Sequence, residues 1–470
     1  MTKILRLHPD RLFPSDPATR DIARRLYGSV KDLPIISPHG HTDPRWFAYD
    51  RPFANPAELL IIPDHYVFRM LYSQGVPLED LGIATMDGSP TANDPRAIWR
   101  RFAERYHLFR GTPSRLWLDW VFAEAFGIDV RLEAATADHY YDVIDAALAT
   151  DAFRPRALFE RYNIEVIATT EGPLDPLDHH RAIRESGWNG KVVTAYRPDP
   201  VLDPDDPRFI DNVQRFCAMA GEDVGYAGYL RAHEKRRADF RAAGATSTDH
   251  GHPSAFTVNL PQQAAEALFA KVVSGPVSAR DAELFRGHML VEMARMSTED
   301  GMVMQLHPGV HRNHNDAVRA RFGKDKGADI PTAGEFVTSL KPLLDLYGND
   351  PRLTLILFTL DEDVYSRELA PLAGHYPALR LGPPWWFHDS PEGMRRFRER
   401  MTETAGFYNS VGFNDDTRAF LSIPARHDVA RRMDCGWLAQ LVAEHRLEED
   451  EAFELARALA YDLPKQAYKL

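Results

Sequence analysis

Ile35-Ile36-Ser37-Pro38-His39-Gly40-His41-Thr42-Asp43 opens as a short apolar run and ends in His-x-His. Such a run reads as a buried parallel strand. Residues two apart on a strand point to the same face, so His39 and His41 project together from its C-terminal end. Paired imidazoles suit a divalent transition metal. Taken alone, the pair fits equally well as two polar residues bonded to neighbouring loops. Gly40 between them is expected to let the backbone pass close to another element.

Working outward, residues 44–161 carry helical periodicity and almost no strand signal. Ala97-Ile98-Trp99-Arg100-Arg101-Phe102 and Leu116-Trp117-Leu118-Asp119-Trp120-Val121 repeat apolar residues at three- and four-residue steps. The Trp99, Trp117 and Trp120 stripe reads as core. So much material is too long for one loop and reads as a helical insertion after the first strand. Beyond it, short apolar runs begin at Ile164, Lys191, Ala245, Met302, Leu353, Ala378 and Phe407, most of them separated by helical segments. With residues 35–41 they make eight units, which predicts an α/β fold, a (β/α)8 TIM barrel. The expected divisions are 1–43 (N-terminal helix and first strand), 44–161 (helical insertion) and 162–470 (remaining barrel and C-terminal helices).

Composition narrows the function. A 470-residue chain with 44% hydrophobic and 26% charged residues is ordinary for a globular enzyme. A formal net charge of -12 argues against nucleic acid as a partner, because phosphate contacts need a basic surface. A small acidic substrate stays open, since it meets local arginines rather than the whole protein. Cys217 and Cys435 lie far apart, outside any Cys-x-x-Cys pattern, and read as buried free thiols. The first thirty residues lack the apolar core of a signal peptide, and no run is long enough to span a bilayer, so the expected location is cytoplasmic.

The ends of the predicted strands are rich in reactive groups: His39 and His41, Glu171, Arg197, Asp249-His250, His307, Thr359, Trp385-Trp386, and Asp416 with Arg418. In a barrel these converge on one mouth. His39, His41, His307 and Asp416 supply three nitrogens and one carboxylate, a donor set for one zinc ion that also tolerates manganese, cobalt or iron. Residues 197–207 and 311–331 follow strand ends and belong on the same face.

At this point the sequence resembles the amidohydrolase superfamily, whose barrels bind metal through a first-strand His-x-His and an eighth-strand Asp. Its binuclear members use a carboxylated lysine; here the fourth strand ends in Asp249-His250, which favours a mononuclear site. The match narrows through Asp64-His65-Tyr66, Thr169-Thr170-Glu171, Tyr196-Arg197-Pro198-Asp199, Asp249-His250-Gly251, Gln305-Leu306-His307, Trp385-Trp386-Phe387 and residues 416–422. In collinear order these look like the uronate (glucuronate) isomerase family. Asn414-Asp415 and His252-Pro253 depart from the pattern.

The resemblance implies interconversion of D-glucuronate with D-fructuronate, and of D-galacturonate with D-tagaturonate, by ring opening and an enediol-type proton transfer. It implies metal at His39, His41, His307 and Asp416, with Asp416 also taking a hydroxyl proton in ring opening. Arg197 and Arg418 would clamp the substrate carboxylate, since a guanidinium matches it with two parallel hydrogen bonds. Tyr66 would move the proton between C2 and C1 in the field of Arg418, with His65 assisting ring opening. Asp249 would meet a substrate hydroxyl or support the site, and Trp386 would pack on the sugar. The partner is a small uronic acid; a homo-oligomer is compatible, with no stretch marking its interface. Two other readings use the same residues: a mononuclear metal-dependent hydrolase of an amide, ester or lactone of an acidic compound, and a sugar-acid binding protein without catalysis.

Overall fold

The computed structural model describes residues 3–470. Its centre is a curled, wholly parallel seven-stranded sheet. The strands are β1 (Ile35–Ser37), β2 (Ile164–Glu171), β3 (Lys191–Tyr196), β4 (Ser247–His250), β5 (Val303–Leu306), β8 (Leu355–Leu357) and β9 (Leu379–Leu381), in that spatial order. A two-stranded antiparallel hairpin, β6 (Val310–His311) and β7 (Ile330–Pro331), stands apart after β5. The strand backbones are almost entirely buried, as expected where helices cover a parallel sheet.

The expected eighth strand is the one that differs. Around Ser410 the chain makes a single parallel bridge to Leu381, with Leu381 N donating to Asn409 O at 2.8 Å and Val411 N to Leu381 O at 3.0 Å. Pairing then stops, because Gly412 turns at φ +76°. A Cβ there would sit 2.4 Å from Leu459 O, so the bend is fixed by the C-terminal helices pressed against it. The segment nevertheless reaches the far edge of the sheet, where His41 N donates to Thr417 O at 3.1 Å.

Between β1 and β2 the chain is built of short helices, including Pro44–Tyr49, His65–Tyr72, Pro95–Glu104, Pro113–Trp120 and Ala137–Leu148. Asp43, Asp64, Asp94 and Thr112 cap four of them by accepting a backbone N–H, and proline opens three of those four. Trp99, Phe102, Tyr106, Phe122 and Tyr140 form their buried core, which runs on into Ile35, Ile164 and Ile167 of the sheet. Trp99 is core as expected, and Trp120 packs against that core. Trp117 is buried elsewhere, against Tyr66. A second core, with Leu306, Leu355 and Leu379, lies under the opposite half of the sheet. Both cysteines are free and buried. Among the described residues no helix is long and apolar enough to cross a membrane.

Candidate active site

The C-terminal ends of the strands surround a cavity of about 590 Å³ lined by His41, His65, Tyr66, Arg197, Trp385, Trp386, Asp416 and Arg418, among others. β1 delivers the two histidines, and the connection after β1 delivers His65 and Tyr66. Asp416 and Arg418 reach the mouth from a loop rather than along a strand: Asp416 has φ +40°, in the left-handed region costly for a non-glycine residue. Trp386, with φ +50°, shares that strain. Two such positions on one cavity wall mark a shape held by its surroundings.

His39, His307 and Asp416 place donor atoms within 4.8 Å of one another. His41 adjoins them through the same carboxylate oxygen: its Nε2 lies 3.2 Å from Asp416 Oδ1, and that of His39 lies 3.5 Å away. Nδ1 of His39, both nitrogens of His307 and Oδ1 of Asp416 are buried without an aligned hydrogen-bond partner among the described residues. Buried polar atoms are rarely left so, and a convergent group of them fits a cation. Burial opposes ionisation of Asp416, but the neighbouring imidazoles more than offset it and hold the carboxyl well below its usual range. Burial also lowers His41 and His307, favouring the neutral form that ligates metal.

Asp249 closes this cluster from below. Its Oδ1 lies 2.8 Å from His307 Nδ1, and its Oδ2 lies 3.2 Å from Arg197. The Arg197 Nε also donates to Asp199 Oδ2 at 2.9 Å. Burial of Arg197 works against its charge, and the two carboxylates hold the guanidinium firmly protonated. Arg418 pairs with neither Asp415 nor Asp416; its guanidinium meets Asp325 at 3.1 Å.

Tyr66 corrects one expectation. The cations beside it are Arg426 and Arg69, not Arg418: the Arg426 guanidinium carbon lies 5.1 Å from the Tyr66 ring centre and 3.5 Å from that of Trp117, and that of Arg69 lies 5.8 Å from the Tyr66 ring centre. Arg426 donates to Asp389 Oδ2 at 2.6 Å, and the Tyr66 hydroxyl approaches the same oxygen at 3.0 Å and Trp386 O at 2.8 Å. Burial, reinforced by Asp389, raises the Tyr66 hydroxyl well above its ordinary range. Burial pushes Asp389 up to about 6 although Arg426 opposes it. His65 stacks on Tyr66, lies 4.5 Å from the Trp386 ring, and is lowered to about 3 by burial and then by Arg418.

Sequence reading missed Asp389, Arg426 and Asp325. The only signal for Asp325 was its place in residues 311–331, which do line the cavity through Arg312, Asn313 and Asp329. His180 is buried, and its Nε2 lies 2.9 Å from the Thr169 hydroxyl. That hydroxyl and Thr194 both donate to Glu171, which burial raises to about 7. Gly40 is not demanded by space, since an added Cβ would stand 3.5 Å from Ala168 O, an ordinary contact. In the first of the two departures, Asn414 donates to the Tyr468 hydroxyl at 2.6 Å, and Asp415 lies 3.0 Å from His427.

The family model for glucuronate isomerase matches residues 17–468. A uronate isomerase of Sphingopyxis alaskensis is 68% identical over the whole length of both chains. Among solved structures, glucuronate isomerase from Caulobacter crescentus superposes with a TM-score of 0.98 at 63% identity, covering 99% of this chain and 98% of that one. Uronate isomerase from Thermotoga maritima superposes at 0.91 with 27% identity, covering 98% and 99%. Family match, full-length kinship and fold agree: the chain belongs to the glucuronate isomerase family.

Proposed function

We propose that this protein is a uronate isomerase, interconverting D-glucuronate with D-fructuronate and D-galacturonate with D-tagaturonate. One observation carries the reading beyond kinship: a single cavity gathers the guanidiniums of Arg197 and Arg418, a buried imidazole–carboxylate cluster and a tyrosine whose proton has a carboxylate to go to. An open-chain sugar acid needs those three things: an anion clamp, a base for a hydroxyl, and a proton carrier for C2 and C1.

Arg197 and Arg418 take the C6 carboxylate, each already lining the cavity. Asp416, held ionised, receives the hydroxyl proton that ring opening releases and hands it on to the ring oxygen, which neutral His65 orients by a hydrogen bond. Tyr66 cannot stand as a free phenolate beside Asp389. It takes the C2 proton only while passing its own to Asp389 Oδ2; the O2 hydroxyl proton passes to O1, and once the Tyr66–Asp389 pair has exchanged with solvent the reverse transfer protonates C1. Asp389, near 6, is ionised and able to accept at neutral pH. Asp249 holds Arg197 and His307 in place, and Trp386 covers the sugar's apolar face.

His39, His41, His307 and Asp416 would hold one divalent cation, zinc by its donor set, which when bound supplies Lewis-acid polarisation of a substrate oxygen. The finer architecture belongs to the same proposal: eight β/α units closing as a barrel through residues 409–417, with residues 44–161 as an inserted subdomain that lowers His65 and Tyr66 over the mouth. The test is proton NMR of purified protein with D-glucuronate, then with a uronolactone. Ketose formation from the uronate supports the isomerase. Cleavage of the lactone with the uronate untouched would replace it with a hydrolase on the same scaffold.

A further inference from the structure

The chain contains a second His-Gly-His stretch, His250-Gly251-His252, which the reaction above leaves unused. His250 ends β4, His252 lies in the loop beyond it, and Asp199 opens the helix Asp199–Leu202 just after β3. One donor atom from each of the three lies within 4.8 Å of the others. We infer that Asp199, His250 and His252 form a second divalent-cation site, distinct from the cluster at Asp416, suited to zinc or an ion of similar preference.

The hydrogen bonding favours ligation. His250 Nε2 lies 3.0 Å from the Thr248 hydroxyl, which can accept its proton and so leave a lone pair on Nδ1. That Nδ1 and both nitrogens of His252 are buried with no hydrogen-bond partner among the described residues. Both side chains are more than nine-tenths buried, at 0% and 5% exposure. Burial keeps both imidazoles neutral at physiological pH, the form that binds metal. Asp199 is held in position by the Gly251 amide, 3.1 Å from each carboxylate oxygen, and Arg197 bonds only Oδ2. Oδ1 therefore keeps a lone pair. The nearby guanidiniums have other carboxylates: Arg197 has Asp249 at 3.2 Å, and Arg312 has Asp329 at 3.1 Å.

Gly251 keeps the cradle open. A Cβ there would lie 2.5 Å from the Arg197 guanidinium and 2.8 Å from Asp199 Oδ2. Two imidazoles and a carboxylate leave a fourth position for water, the arrangement of an open tetrahedral site. An ion there ties the β3 and β4 loops together beside the anion clamp.

The test is zinc stoichiometry of the full chain, stripped by chelator, reloaded with zinc alone and read by mass spectrometry of the metal. Wild type is expected to bind two equivalents, and His252→Asn one. Asp199→Asn, also expected to bind one, serves if His252→Asn does not fold. Asp416→Asn separates the two sites: it should lose the other equivalent, and if it loses none, the first site's assignment fails while this one stands. Equal stoichiometry in wild type, His252→Asn and Asp199→Asn would overturn the second site.

Discussion

Two stretches of this chain spell His-Gly-His, and they differ in what the glycine is for. At 39–41 an added Cβ at Gly40 meets only ordinary contacts, the nearest 3.5 Å away; at 250–252 an added Cβ at Gly251 falls 2.5 Å from Arg197. The first pair shares a carboxylate, Asp416, that arrives from the far end of the sequence and faces the cavity. The second has its carboxylate, Asp199, on the neighbouring loop, under the anion clamp. In the proposed reading the same three letters would serve the proton chemistry on one side of the mouth and the substrate's charge on the other. Substitutions on the first side should act on kcat, and those on the second should act on KM.

Asp416→Asn is the largest break. It removes the proposed ring-opening base and the carboxylate shared by His39 and His41, and kcat/KM for glucuronate should fall by about 10³-fold, a loss typical of a positioned general base. A steady-state assay showing less than a tenfold loss would take the chemistry away from this side. Gly251→Ala comes next. The atoms it strikes are the ends of the Arg197, Asp199 and Arg312 side chains, which shift while the fold survives. The displaced Arg197 should raise KM by about 30-fold with kcat little changed, as expected for one charge-assisted hydrogen-bonded contact.

Asp389→Asn sharpens the kcat side through pH. Burial raises Asp389 from 3.8 to about 6, so its carboxylate, the form that accepts the Tyr66 proton, is lost as pH falls through 6. Wild-type kcat should drop on that acid limb. The variant should be slower by about tenfold or more at neutral pH and lack the limb. An unchanged limb would exclude Asp389 from the proton path. Gly40→Ala should do least: activity within about twofold and stability within ~1 kcal/mol of wild type by thermal unfolding, the ordinary cost of a glycine change in uncrowded space.

The sequence revealed those parts of the site that lie at or just past strand ends. His39 and His41 follow the apolar run of β1, beyond its last residue Ser37; Arg197 and His307 directly follow β3 and β5, and Asp249 lies within β4. The helical character of residues 44–161 was visible in Trp99 and Phe102 at helical spacing. Pairings that cross the fold between aperiodic loops were not visible. Arg426 reaches Asp389 across 37 residues, and Arg418 meets Asp325 in a loop whose composition marks only surface. The eighth strand was over-read because residues 407–413 have strand-like composition, while the Gly412 turn that ends its pairing is set by distant helices. Tyr66 lines the cavity, but the expected cation beside it was not the one found, since burial decides that and burial is a tertiary property.

The most direct test of the central claim, that this mouth moves a proton between C2 and C1 of a uronate, is proton NMR of the reaction in heavy water. D-glucuronate should yield fructuronate, with solvent deuterium entering at C1 through Tyr66 and Asp389. Fructuronate formed with no deuterium at C1 would contradict the exchangeable relay, and no conversion of glucuronate or galacturonate would contradict the isomerase itself.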